Sequence, residues 1–108
     1  MNWLDICALE EIPRLGSRVI DGPKGDIALF RTSEDEVFAL DDRCPHKGGP
    51  LSQGIIYGKQ VACPLHNWQI QLESGEAIAP DVGCTHRYPT RVEGGRVQVV
   101  LEKARESA

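Results

Sequence analysis

The sequence predicts an all-β domain, a sandwich or barrel of short antiparallel strands. Three observations carry that prediction. Gly and Pro together supply 18 of the 108 residues and are spread along the chain, a turn-rich pattern that argues against a helical bundle. Short apolar stretches recur between polar turn clusters at the spacing of strands and hairpins. Leu, Ile and Val supply 25 residues against two each of Phe, Tyr and Trp, so the core is aliphatic. A chain of this length holds one core, which buries roughly 60–70% of the unfolded surface. Residues 1–101 are expected to form that one domain, and the charged tail 102–108 is expected to fray.

The elements follow in order. Trp3 to Ala8 is a short strand candidate, and Pro13 stops anything helical behind it. Asp26 to Arg31 is apolar and bulky, Thr32 to Asp35 is a polar turn, and Glu36 to Leu40 is apolar again, which reads as a β-hairpin. Ile55 to Tyr57, the pair Gly58-Lys59, and Gln60 to Ala62 form a second, tighter hairpin, because a two-residue connection suits a hairpin turn. Trp68 to Leu72 alternates apolar and polar with period two and ends at Glu73-Ser74-Gly75. A last pair runs from Arg87 to Val92, through the turn Glu93-Gly94-Gly95, and on from Arg96 to Leu101. Val97, Val99 and Leu101 then share one face of the final strand.

Charge narrows the function. Twelve Lys and Arg against 16 Asp and Glu leave a formal charge of −4 with no basic run, a poor match to nucleic acid or to an anionic membrane. No stretch approaches the roughly 20 apolar residues of a membrane span. The segment Met1-Asn2-Trp3-Leu4-Asp5 lacks the basic and apolar regions of a secretory signal, so a cytoplasmic location is expected. Thiols stay reduced there, and four cysteines in a small chain point to metal or redox chemistry before disulfides.

Two loops, at about residues 41–53 and 63–68, interrupt the strands and hold that chemistry. The first contains Cys44-Pro45-His46-Lys47-Gly48-Gly49-Pro50, and the second contains Cys63-Pro64-Leu65-His66-Asn67-Trp68. Each supplies one soft thiolate and one imidazole, and the second hairpin between them lets the loops face each other. Four ligands of mixed type suit tetrahedral zinc or a two-iron cluster with histidines on one iron. Zinc fingers pair like with like on one local turn or helix. Here each loop contributes one of each type, which lets both thiolates hold one iron and both imidazoles the other.

On these residues the chain resembles the Rieske [2Fe–2S] family, over nearly its whole length. The resemblance implies a β-sandwich with a small inserted cluster-binding subdomain of two loops. It implies Cys44 and Cys63 on the inner iron and His46 and His66 on the outer one, with Ala79-Pro80 in a third loop that covers the cluster. No catalytic residue is expected. The formal charges of two ferric ions, two sulfides and two thiolates cancel when oxidised, so this ligand set raises the potential above that of a four-thiolate cluster. Gly48 and Gly49 allow the close backbone approach that hydrogen bonds to the sulfides require. High-potential members clamp the loops with a disulfide, but Gly49 and Leu65 stand at those positions. They also place hydroxyls where this chain has Trp68 and Ile70. A low potential, on the order of −150 mV, is expected.

Within the family, the two loop runs and Pro80-Asp81-Val82-Gly83-Cys84 leading into Tyr88-Pro89-Thr90-Arg91-Val92 are similar to small subunits of assimilatory NAD(P)H-dependent nitrite reductase. That similarity implies electron transfer within nitrite reduction to ammonium. The partner would be a large subunit carrying FAD, a [4Fe–4S] cluster and sirohaem. A diffusible ferredoxin serving a ring-hydroxylating oxygenase is the alternative, and a zinc-stabilised interaction domain is the non-redox one. The remaining residues of note read more plainly. Cys7 is a small buried hydrophobe, Cys84 a structural thiol and His86 a surface imidazole. Trp68 packs beneath the loops. Glu34-Asp35-Glu36 and Asp41-Asp42 are solvated turns, and Lys47 is either a loop lysine or a contact for an acidic partner.

Overall fold

The computed structural model describes residues 3–23, 25–45, 49–64, 67–79 and 81–101. Ten strands occur among the described residues, in chain order β1 (Leu4–Ala8), β2 (Ser17–Gly22), β3 (Gly25–Arg31), β4 (Val37–Asp41), β5 (Ile55–Tyr57), β6 (Gln60–Ala62), β7 (Gln69–Gln71), β8 (Arg87–Tyr88), β9 (Thr90–Glu93) and β10 (Arg96–Val99). Among the described residues the helical pieces are two 3-10 turns, Leu9–Glu11 and Leu51–Gln53. All pairings between strands are antiparallel, in three sheets ordered β1-β10-β9, β2-β3-β4-β8 and β5-β6-β7.

The second sheet is the middle layer. Ile27 and Leu29 of β3 point into one core with Val37 and Ala39 of β4, Cys7 of β1, and Val97 and Val99 of β10. Ala28 and Phe30 alternate to the other face, where Leu40, Leu51, Ile56, Val61, Ile70 and Leu72 make a second core with Cys44 and Cys63. Register and side-chain period agree, because Leu29 lies opposite Ala39 and Phe30 opposite Phe38. A strand covered on both faces needs a continuous apolar run, and Ile27-Ala28-Leu29-Phe30 is one, each residue fully buried.

The hairpins at β3–β4 and β5–β6 stand as the sequence predicts, with Gly58 in the left-handed conformation at φ 58°. Two expectations change. Ser17–Gly22 is a full edge strand that its sequence hides, since Val19 is exposed and only Ile20 packs inward. The run Arg87 to Val92 is two strands, split at Pro89. Tyr88 ends on the second sheet opposite Ala39, while Thr90 starts on the first sheet opposite Val99. Proline brings no N–H to a ladder, so it serves as the crossing point between sheets. The β5-β6-β7 sheet carries the two loops of the inserted subdomain. The tail 102–108 lies outside the described residues.

Candidate metal centre

The β5–β6 hairpin sets the site. Ile55 pairs with Ala62, so the first loop arrives and the second leaves at the same end of the hairpin, with Gly54 beside Ala62 and next in chain to it Cys63. A Cβ on Gly54 would lie 2.1 Å from the Ala62 carbonyl oxygen, so only glycine permits this approach.

Each loop closes on itself through its cysteine. The Cys44 N–H donates to the Gly49 carbonyl (2.8 Å), and the Cys63 N–H donates to the Trp68 carbonyl (2.6 Å). Asn67 takes the left-handed conformation (φ 59°) that lets the second loop turn back, a position where Asn is tolerated better than bulkier residues. Both cysteines are buried, at 1% and 2% exposure, in the same apolar core. Trp68 packs against that core, as expected. Ile70 is buried there too and brings no hydroxyl.

A third segment comes down over both loops. Gly83 sits so close that a Cβ on it would meet Pro45 Cβ of the first loop at 3.1 Å and Trp68 Cζ3 of the second at 3.8 Å. The Gly83 carbonyl accepts from the Ala77 N–H (2.8 Å), which ties the segment to the strand region after β7. Pro80, the covering proline of the sequence reading, lies outside the described residues, as do Lys47, Gly48, Leu65 and the two imidazoles, His46 and His66. The described part of the site is thus two buried thiols on adjoining, hydrogen-bonded loops.

The chemistry of this donor set fits an iron–sulfur centre. Thiolates are soft ligands, and no grouping of three or more His, Cys, Asp or Glu suited to a metal occurs among the described residues. None of Cys7, Cys44, Cys63 and Cys84 is in a disulfide. Cys7 is on the first sheet in the other core, and burial pushes its thiol above its ordinary value. Cys84 is exposed and bridges to Glu76 through backbone, so its thiol is a surface group and not a packed one. His86 is half-buried, its ring edge-on to Tyr88 with centroids 4.5 Å apart.

The acidic residues beside the first loop are a correction. Asp41 and Asp42 are not solvated turns. Tyr88, buried, donates its hydroxyl to Asp41 Oδ1 at 2.6 Å, and Asp42 accepts from both the N–H and the hydroxyl of Ser52. Asp35 likewise accepts from Arg31 Nε (2.9 Å), whose guanidinium holds its carboxyl below the ordinary range. The sequence signal that would find such residues is position, since Asp41 and Asp42 stand where a strand ends and a long loop begins.

Residues 2–100 match the family described as Rieske-like [2Fe–2S] domain. The chain is 33% identical to the ferredoxin component of a naphthalene 1,2-dioxygenase system of Pseudomonas aeruginosa, across 93% of this chain and 96% of that one. It is 34% identical to a 3-phenylpropionate/cinnamic acid dioxygenase ferredoxin subunit of Photorhabdus laumondii, across 95% and 98%. Its fold superimposes with a TM-score of 0.80 on a Mycobacterium tuberculosis chain named for the small subunit of an NADH-dependent nitrite reductase. Those two are 26% identical, over 91% of this chain and 93% of that one. No helix among the described residues is long and apolar enough to cross a membrane. With two buried thiols on facing loops and a match along almost its entire length, this chain belongs to the Rieske-like [2Fe–2S] domain family, and it is an electron-transfer component that binds a Rieske-type [2Fe–2S] cluster.

Proposed function

We propose that this chain is a diffusible Rieske ferredoxin that passes single electrons to the oxygenase component of a ring-hydroxylating system. The similarity to two dioxygenase ferredoxins, each matched over nearly its whole length, carries the reading. Cys44 and Cys63 are assigned to the inner iron, which their burial in one apolar core supports. His46 and His66, two and three residues further on, are assigned to the outer iron and to the edge where the electron leaves. When bound, the cluster supplies a one-electron couple whose formal charge moves from neutral to minus one. The apolar core around Cys44 and Cys63 keeps water from the thiolates, and the closed loops hold the backbone still, so little rearrangement accompanies the change of charge.

The fold and the loop runs also support a second reading, a small subunit of a nitrite reductase in stable complex with a large one that carries flavin and sirohaem. Gentle affinity purification from the chain's own cells, followed by an absorption spectrum, separates the two. The ferredoxin reading expects the chain to elute alone and loaded with iron. Co-elution of a large partner with sirohaem bands would replace it with the second reading. For the ligands, Cys63→Ala is expected to abolish the visible bands of the purified protein, and an unchanged spectrum would refute the assignment.

A further inference from the structure

The first loop is held at its base by a device that the disulfide-lacking sequence does not advertise. Asp42 is the first residue past β4, and its N–H continues the β3–β4 ladder by donating to the Asp26 carbonyl at 3.0 Å. Its carboxylate reaches across the loop to Ser52, ten residues on. Oδ1 accepts from the Ser52 N–H at 2.7 Å and Oδ2 accepts from the Ser52 hydroxyl at 2.8 Å. Ser52 is tied in turn to the second sheet's edge strand, since the Ser17 hydroxyl of β2 donates to its carbonyl at 2.7 Å. All three residues are half-buried.

Charge-assisted bonds of this length are roughly twice as strong as neutral ones, and shielding from water preserves them. Both ends of the loop are thereby stapled to one sheet. Cys44 sits two residues inside the staple, and its own N–H is committed to Gly49. The staple therefore limits how far the backbone at Cys44 can move.

We infer that Asp42, Ser52 and Ser17 are positioning residues that form a hydrogen-bonded girdle around the first loop, fixing Cys44 and setting how slowly the cluster is lost. The inference rests on the proposed role of Cys44 as a ligand. The girdle is a noncovalent clamp at the base of the first loop, away from positions 49 and 65.

The test measures loss of visible absorption from the purified, cluster-loaded protein in excess EDTA, with the electron paramagnetic resonance spectrum of the dithionite-reduced protein as a second readout. Asp42→Ala, which removes both bonds to Ser52, is expected to shorten the half-life by about tenfold or more, since one hydrogen bond to a charged group already corresponds to a factor of that order. Ser52→Ala, which removes only the hydroxyl bond, is expected to shorten it severalfold, and the double variant to do no more than Asp42→Ala alone. Asp42→Asn, whose amide oxygen can still accept from the Ser52 N–H but without the charge, should recover part of the lifetime. The resonance g-values should shift in Asp42→Ala and return in Asp42→Asn.

Asp35→Ala, at the opposite end of β4, is the control for general destabilisation. If it accelerates loss as much at an equal fall in Tm, the girdle is overturned. So too if Asp42→Ala and Ser52→Ala keep half-lives within twofold of the parent while Cys44→Ala loses the cluster. A Cys44→Ala protein that keeps its cluster would overturn the ligand reading and the girdle together. Should Asp42→Ala not fold, Ser52→Ala decides the matter by the same twofold criterion.

Discussion

Tyr88 shows how one side chain can join two parts of the molecule. Its ring fills the core between the first two sheets, and its hydroxyl reaches Asp41, the last residue of β4 before the first cysteine-bearing loop. Burial raises its pKa well above the ordinary 10.0, and the hydrogen bond to the Asp41 carboxylate and that group's charge push it the same way. The folded state thus holds the phenolic proton after the unfolded chain has released it. Stability is therefore intact below the unfolded value of about 10 and falls as pH rises past it. Urea titrations between about pH 9 and about pH 11 should show that decline, and Tyr88→Phe should flatten it. At neutral pH the same substitution should lower stability by about 1.5–3 kcal/mol, since it strips a donor from a carboxylate. An identical slope in the two proteins would mean that the bond does not persist in solution. Nothing in the sequence around Tyr88 announces this link, because the partners are 47 positions apart and meet only through the β4–β8 pairing.

Among the elements, what was legible is what is local. The β5–β6 hairpin could be read from three apolar or alternating residues on each side of Gly58-Lys59, because turn chemistry and pattern coincide within eight positions. The two cysteine-bearing loops could be picked out for the same reason, each with its cysteine and histidine within four residues. By contrast, β2 exists through its partner. Its six residues lie along β3, from Ser17 opposite Phe30 to Gly22 opposite Gly25, and an edge strand with one inward face needs little apolar sequence. The break at Pro89 was hidden by apolar alternation that continues across it. Two glycines test how tightly the hairpin is built. Gly54→Ala drives a Cβ into the Ala62 carbonyl and should destabilise the protein by about 3 kcal/mol or more, a core-clash magnitude, whereas Gly58→Ala meets open space and should cost about 1 kcal/mol for its left-handed backbone. Thermal unfolding of both variants reads the difference. Near-equal losses would mean that the loop end of the hairpin yields to make room.

At the scale of the whole molecule, the second sheet divides the chain into a half that packs β1 and β10 and a half that packs the thiol-bearing loops. Cys44 and Cys63, the proposed ligands, belong to the second half only, yet both halves share β3 and β4. A ligand that binds the folded state alone stabilises everything that folds with it. Removal of iron is accordingly expected to lower the Tm of the whole domain in one cooperative transition, and calorimetry of loaded and chelated protein measures it. Two separate transitions after chelation would show that the halves unfold independently. The all-β class was visible in composition and turn spacing, but the three-layer arrangement was not, since which face of β3 meets which sheet depends on strands far away in sequence.

That arrangement bears on the order in which the protein is made. The β5-β6-β7 meander and both cysteine-bearing loops are complete once residue 71 has been synthesised. The first sheet must wait for Val99 to pair with Leu4, across almost the full length of the chain. Long-range pairing of that kind is slow. On the ribosome, the thiols are therefore emerging with their local hairpin already encoded while one face of β3 still lacks its cover. The half that bears the two buried thiols is thus synthesised well before the pairing that completes the first sheet.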